Sequence, residues 1–454
     1  MLIIKNATAL QFYPPKVLNG VDIVIEGNRI AAVGSNAGEA YRSSGAPAGD
    51  PEKGGSPKII DASGKVVFPG LVCSHHHYYS GLARGMIAKV GPTPDFVSVL
   101  RNLWWKLDRA LDEETLYYSS LINSIEAIKA GTTAVVDHHA SPGCIRGSLQ
   151  TVKKGFIETG LRGMTCYEVT DRNGRDGMLA GIEENLEFAE QAEQEKCGGQ
   201  SHLVEAAVGG HAPFTIPDEG LKLIADVVEK TGRGFHVHAG EGKFDVSYSH
   251  LHYNRDLMDR LAEFGLLNDK AIIVHGVHLS RKDAELINEA DAFLIHNPKS
   301  NMNNGVGYNH LLPVYKNIAI GTDGIGANMF EEYKFAYFKH QDARGPLSPD
   351  DFLRYLAGGN RILERYFGGH YGRIEKGYTA DIVITDYLPP TPIMPENIAG
   401  HLAFGMTSTD IRTVIVDGRA VYEDRSFPFD TEEIFSASRE AAGKLWNAIN
   451  NLPE

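Results

Sequence analysis

Cysteine is scarce: Cys73, Cys144, Cys166 and Cys197 are the only four in 454 residues, and they are widely scattered. So few cannot staple a chain this long, which excludes a disulfide scaffold. The absence of clustered thiolates likewise disfavours a structural Cys–zinc site. Positive charge is also in short supply. With 44 Lys and Arg against 58 Asp and Glu, the formal charge is −14, and no basic stripe is present. Phosphate binding needs clustered cations, so nucleic acid is not expected as a partner. No apolar run approaches the roughly 18 residues of a membrane span. The apolar stretch in MLIIKNATALQFYPP is too short for a secretory signal. These readings give a soluble, cytoplasmic protein with no membrane partner. A GxGxxG after an early strand is missing too, which counts against a dinucleotide-binding sheet.

What is present is apolar enough, at 43% hydrophobic residues, to bury a sizeable core. The length suits one large domain plus a smaller one, or two to four ordinary ones. Both chain ends read as short strands with Gly turns: LIIKNATAL, VDIVIEG and RIAAVG at one end, ADIVITDY and DIRTVIVDGRAVYED at the other. Together they can close into one small sheet domain. Residues 36–57 are small and polar without periodicity and read as a surface loop. The middle alternates eight short apolar runs with amphipathic helical stretches such as DEGLKLIADVVEKTG. Eight strand–helix alternations suit a (β/α)8 barrel, with an open doubly wound sheet as the alternative. DTEEIFSASREAAGKLWNAI reads as a C-terminal amphipathic helix opened by acids and packed on the barrel.

The 18 histidines are informative by position. In a barrel enzyme the chemistry gathers at the C-terminal strand ends, because all eight face one mouth. Here every apolar run ends in an ionisable group: His75-His76-His77, Asp137-His138-His139, Glu168, His211, His236 and His238 with Glu241 beyond, His275, His296 and Asp323. A single histidine at a strand end usually has a structural role; eight consecutive polar ends point to one site. His75 and His77, two apart on a strand, face the same way and can share a metal ion, while His76 points into packing. Imidazole and carboxylate ligands suit Zn2+ and also Fe2+. His238-Ala-Gly-Glu241 adds another imidazole and a carboxylate within reach of a metal-activated water, able to act as general base and then general acid. Asp323 can bind metal or catch a proton. His275 can polarise water, and His211 can hydrogen-bond a substrate carbonyl or ring nitrogen.

These motifs in this order resemble the amidohydrolase superfamily, in its deaminase and chlorohydrolase branch. FPGLVCSHHH is similar to its first strand with HxH, FHVHAGE to its fifth, VHGVHLS to its sixth, HNPKSN to its seventh and IGTDG to its eighth. CSHHHYYSGLARG, NLWWKLDRALDEE, VVDHHASPG and CYEVTDRNG further resemble the aminohydrolases associated with selenium metabolism. The resemblance implies an α/β fold, a (β/α)8 TIM-like barrel over 66–372. A composite β-sandwich from 1–65 and 373–425 and a C-terminal helix over 426–454 would complete it. It also implies one divalent ion, Zn2+ first and Fe2+ second, held by His75, His77, His238 and Asp323. Glu241, His275 and Asp323 would be the catalytic groups. No Lys lies between Arg162 and Val208 except Lys196, in a polar stretch, so a bridging carboxylated lysine is not expected.

The expected substrate contacts are His211, Tyr79, Arg84, Trp104, Glu168, His296 and Asn301, with Trp104 and Trp105 as an aromatic wall for a flat ring. The expected activity is hydrolysis of a non-peptide C–N bond in a small nitrogen-rich, purine-related heterocycle, by deamination or cyclic-amide opening. Hydrolytic dechlorination, or a non-catalytic scaffold on the same barrel, are the alternatives. Related enzymes imply a homo-oligomer.

Overall fold

Alternation at the chain ends decides which face of each strand is buried. A computed structural model describes residues 1–43, 57–198 and 202–452. In it β1 (Leu2–Phe12), β2 (Pro15–Glu26) and β3 (Arg29–Gly34) form an antiparallel meander, and β4 (Lys58–Asp61) and β5 (Val66–Pro69) pair parallel to β1. Within the segment read as a loop, Ala37–Ser43 is helical, because Asp22 accepts from the Gly38 amide and holds the helix against β2. Residues 44–56 lie outside the described residues.

The run VVFPGLVC is one apolar stretch but two strands. The chain leaves β5 at Gly70, where a Cβ would lie 1.9 Å from Thr133 Oγ1, and re-enters as β6 (Leu71–His76). The passage between the terminal sheet and the middle segment therefore falls at Gly70. From there β6, β7 (Thr132–Asp137), β8 (Arg162–Thr165) and β9 (Val204–Ala206) form a parallel sheet. A second parallel sheet follows in chain order: β10 (Val208–Gly210), β11 (Phe235–Ala239), β12 (Ile272–His275), β13 (Phe293–His296) and β14 (Ile318–Ile320). The run HLVEAAVG thus splits, one half pairing with β8 and the other with β11. Parallel bridges Val169↔Gly210 and His76↔Asp323 join the two sheets at both seams.

Helices alternate with these strands, each with a local reason. Asp218–Thr231 buries Leu221, Ile224, Val227 and Val228 on one face, carries acids in its first turn and ends at a left-handed Gly232. Arg281–Glu289 starts from a Ser280–Asp283 capping box.

β15 (Ile382–Thr385), β16 (Ile411–Val416) and β17 (Arg419–Tyr422) return to the terminal sheet, whose order is β17-β16-β15-β5-β1-β2-β3 with β4 beside β1. Ile4, Ile23, Ile25, Val67, Ile382 and Ile415 share one core, while Leu10, Phe12, Phe68, Val383 and Val414 join the larger helix-covered one. Asp430 caps the last helix, Thr431–Asn451, by accepting from the Glu432 and Glu433 amides. Its Ala441, Leu445 and Ile449 pack with Leu82, Leu107 and Leu111, and Trp446 Nε1 donates to the Leu82 carbonyl. No helix among the described residues is long and apolar enough to cross a membrane.

Candidate functional site

Three imidazoles converge from the C-terminal ends of β6 and β11. His77 Nε2 lies 3.2 Å from His238 Nε2 and 2.8 Å from Asp323 Oδ1, and His75 Nε2 lies 3.3 Å from the same oxygen. The opposite nitrogen of each ring is engaged. His77 Nδ1 donates to the His138 carbonyl at 2.6 Å, and His238 Nδ1 to the His211 carbonyl at 2.7 Å. His75 Nδ1 meets His236 Nε2 at 2.9 Å, and His236 Nδ1 sits 3.6 Å from Cys166 Sγ. Each Nε2 can therefore turn a lone pair inward, which is the tautomer that metal-ligating histidines adopt. In a tetrahedral site with metal–nitrogen bonds of 2.0–2.1 Å, ligand atoms lie about 3.3 Å apart.

Among the described residues four overlapping groups have donor atoms within 4.8 Å of one another: His75, His77, His138 and His238; His75, His238, His275 and Asp323; His138, Cys166 and His236; and Glu168, His211 and His238. His138 is the weaker donor. Its Nε2 donates to the His236 carbonyl and its Nδ1 is 3.2 Å from Glu168 Oε1. The residues present fit one divalent ion with nitrogen and oxygen ligands. His76 turns the other way, as its register requires, with Nδ1 2.5 Å from the Asp323 carbonyl and its ring edge-on to Tyr78.

Beside this floor stand Glu241 and His275. Glu241 Oε2 is 3.4 Å from His275 Nε2, and Asn304 donates to Oε1 at 3.2 Å. Burial, and then the charge of Asp323, push the Glu241 carboxyl well above its usual range. His275 Nδ1 is 2.8 Å from Asn301 Oδ1 and donates to it, leaving Nε2 as a buried lone pair without a hydrogen bond. Asp323 Oδ2 accepts from the Ser300 hydroxyl. His275 (φ 71°) and Asp323 (φ 55°) both lie in the left-handed region, where non-glycine residues are uncommon. Strain of this kind, stored at two strand ends of one cluster, is typical of functional sites.

The floor opens into a pocket walled by Tyr79, Phe96, Trp104, Trp105, Phe214 and Phe244, with His211, Glu168, Asp108 and Arg172 among its polar lining. The helical segment from Phe96 to Ala110 that carries the tryptophans contains a π-turn at Leu100–Trp104, a feature frequent at functional sites. His211 Nδ1 donates to Thr215 Oγ1, whose own proton goes to the Ala212 carbonyl. Burial lowers the His211 pKa to about 3, so its Nε2 is an acceptor. It suits a protonated ring nitrogen or another substrate N–H, and it does not suit the carbonyl that was the other expected partner.

Of the expected substrate contacts, Tyr79, Trp104, Glu168 and His211 line the pocket and three do not. Arg84 pairs with Glu126, its side chain 66% exposed, in a separate surface cleft. It is the extended residue that follows the 3-10 turn Tyr78–Ala83. His296 is buried edge-on to Tyr308 and is not among the residues lining the pocket. Asn301 reaches the site only through His275. His138 is fully buried among the central rings. Lys196 donates to the Tyr366 carbonyl and lies away from the site.

Sequence reasoning passed over Asp108, Arg172, Asp245 and the phenylalanines. Trp105 and Asp108 were legible as an i, i+3 pair on one helical face. Arg172, in the loop after the third strand run, was overshadowed by Glu168.

Residues 66–421 match the amidohydrolase family, and the chain belongs to it. Among its relatives, a 5-methylthioadenosine/S-adenosylhomocysteine deaminase of Thermococcus sibiricus is 28% identical over 92% of this chain and 93% of its own. A 5′-deoxyadenosine deaminase of Methanosarcina acetivorans is 27% identical over 98% of each chain. The fold is shared with an adenosine deaminase from Xanthomonas campestris solved with bound zinc (TM-score 0.82, 22% identity, 98% of each chain).

Proposed function

We propose that this protein is a metal-dependent hydrolase cleaving a non-peptide C–N bond in a purine-related heterocycle, by deamination or cyclic-amide opening. The convergence of three fixed Nε2 lone pairs and the Asp323 carboxylate, beside Glu241 in an aromatic pocket, carries the reading. Similarity to deaminases over nearly the whole chain supports it. His75, His77, His238 and Asp323 would hold one divalent ion, Zn2+ first and Fe2+ second. Such an ion supplies a Lewis acid that lowers the pKa of water to about 7.

This chain's own groups divide the remaining work. His275 Nε2 accepts a hydrogen bond from the attacking water and orients it. Glu241 takes the water proton on its carboxylate and returns it to the leaving or ring nitrogen; the raised affinity for that proton favours the donating half. Tyr79 and Trp104 present flat faces to a planar ring, and His211 Nε2 accepts from a ring or exocyclic N–H. The apolar wall keeps bulk water from the reacting carbon.

We read the two parallel sheets as one closed (β/α)8 barrel in which β9 and β10 form a single stave; the seam bridges support this. The terminal sheet is read as the composite β-sandwich, supported by the core its strands share. We also place the protein in the cytoplasm as a homo-oligomer, which fractionation and light scattering test.

The deciding experiment is turnover of purines, oxidised and reduced purines, pterins and hydantoin-like rings by zinc-loaded protein, following ultraviolet change and ammonia together. Ammonia release marks deamination, and its absence with ring loss marks cyclic-amide opening. A zinc-loaded protein that converts none of these rings contradicts the reading.

A further inference from the structure

One wall of the pocket is chemically unfinished. Arg172 Nη2 donates to Asp108 Oδ2, and the guanidinium lies 5.1 Å from the Trp105 ring centroid. An arginine fork in register with a carboxylate makes two parallel bonds. Here one is made, and the other two atoms, Arg172 Nε and Asp108 Oδ1, are buried without a hydrogen-bond partner, as is Trp105 Nε1. The Asp108 and Arg172 side chains are only 3% and 10% exposed. Buried polar atoms left unpaired are costly, and all three are closed to solvent in this structure, so a ligand that pairs them must do so with movement of these side chains.

The unmade half of the fork fixes the chemistry of that ligand. Arg172 Nε–H and Trp105 Nε1–H are donors, and Asp108 Oδ1 is an acceptor. Their complement is a carbonyl oxygen next to an N–H. Charge narrows it further. Five carboxyl groups line the pocket, on Asp108, Glu168, Glu241, Asp245 and Asp323, against a single cationic side chain, Arg172, which is already paired. A phosphate or carboxylate substituent would find no free cationic side chain there.

We propose that Asp108, Arg172 and Trp105 are specificity-determining residues that read the lactam edge of a neutral heterocycle. The ring C=O accepts from Arg172 Nε and Trp105 Nε1, and the adjacent ring N–H donates to Asp108 Oδ1. The proposal rests on the hydrolase reading for what happens next, but not for binding. It separates this pocket from one built for adenine, whose ring has no lactam.

The test is calorimetric binding to zinc-loaded Glu241→Gln protein, so that turnover does not intrude. Hypoxanthine is compared with purine, guanosine with 2-aminopurine riboside, and guanosine with its 5′-monophosphate. We expect the lactam member to bind at least about tenfold tighter in one or more pairs, because a site built to pair polar groups discriminates strongly against analogues lacking them. The monophosphate should bind more weakly than the nucleoside. Arg172→Lys and Asp108→Asn should bring the lactam ratio to within about twofold. Trp105→Phe, which keeps the ring packing and deletes only the N–H, should reduce it if the buried pair proves too fragile to alter.

Equal affinity within every lactam pair, including no binding by either member, overturns the proposal. So does a preference that survives all three substitutions, or a monophosphate that binds as tightly as its nucleoside. If lactam selection holds while zinc-loaded wild-type protein hydrolyses nothing, the hydrolase reading fails and the wall stands. If hydrolysis proceeds without lactam selection, the reverse follows.

Discussion

The floor of the pocket and its Asp108–Arg172–Trp105 wall are built from similar side chains and left in opposite states. On the floor, His77 and His238 each spend Nδ1 on a backbone carbonyl, and His75 spends it on His236, so every ring presents Nε2 to one point. On the wall, a fork and a carboxylate make one bond of two, and an indole N–H has no partner. The floor's partners are mostly main chain or second-layer rings, which fix geometry whatever the substrate. The wall's missing partners belong to whatever binds. Chemistry shared across a family can reside in the first, and discrimination among substrates in the second.

Breaking the floor should have the largest effect. His238→Ala removes a ligand with its lone pair, and metal analysis should show the bound equivalent lost and turnover gone with it. Glu241→Gln should retain the metal while kcat falls by about 10²–10⁴-fold, the usual worth of a positioned general acid–base. His236→Asn should act one layer out, loosening the tautomer of His75. Metal affinity measured against a chromophoric chelator should fall about 10–100-fold, with kcat of the fully loaded protein less affected. Arg172→Lys should leave metal content untouched and alter selectivity among rings, which is the sharpest contrast between the two regions. Arg84→Ala, at the exposed pair with Glu126, should change thermal stability by no more than about 1 kcal/mol, since solvent screens such pairs, and leave kcat/KM unchanged.

The same division explains what the amino-acid sequence revealed. The floor was legible because its residues sit at strand ends in fixed local patterns: His75-x-His77 on one strand, His238 with Glu241 three residues on, Asp323 after an apolar run. Strand periodicity alone aims such side chains. The wall was not legible, because Asp108 on a helix and Arg172 in a loop are 64 residues apart and meet only through tertiary packing. Arg84 shows the converse. It lies close in sequence to the HxH strand, yet it follows the 3-10 turn Tyr78–Ala83 and is exposed at the surface. His296 shares the strand-end position of the floor histidines but is buried away from the pocket lining, so a strand-end position alone does not put a side chain in the site. Among the fold elements, the alternation of the chain ends predicted one sheet from distant segments, whereas the break of VVFPGLVC at Gly70 depended on a close approach to Thr133.

The central claim is that one ion sits among His75, His77, His238 and Asp323. Diffraction from zinc-loaded crystals at the zinc absorption edge tests it directly. The account predicts a single anomalous peak bonded to Nε2 of the three histidines and to an Asp323 oxygen, at about 2.0–2.2 Å. A peak elsewhere, two peaks sharing the site, or ligation through Nδ1 would contradict it.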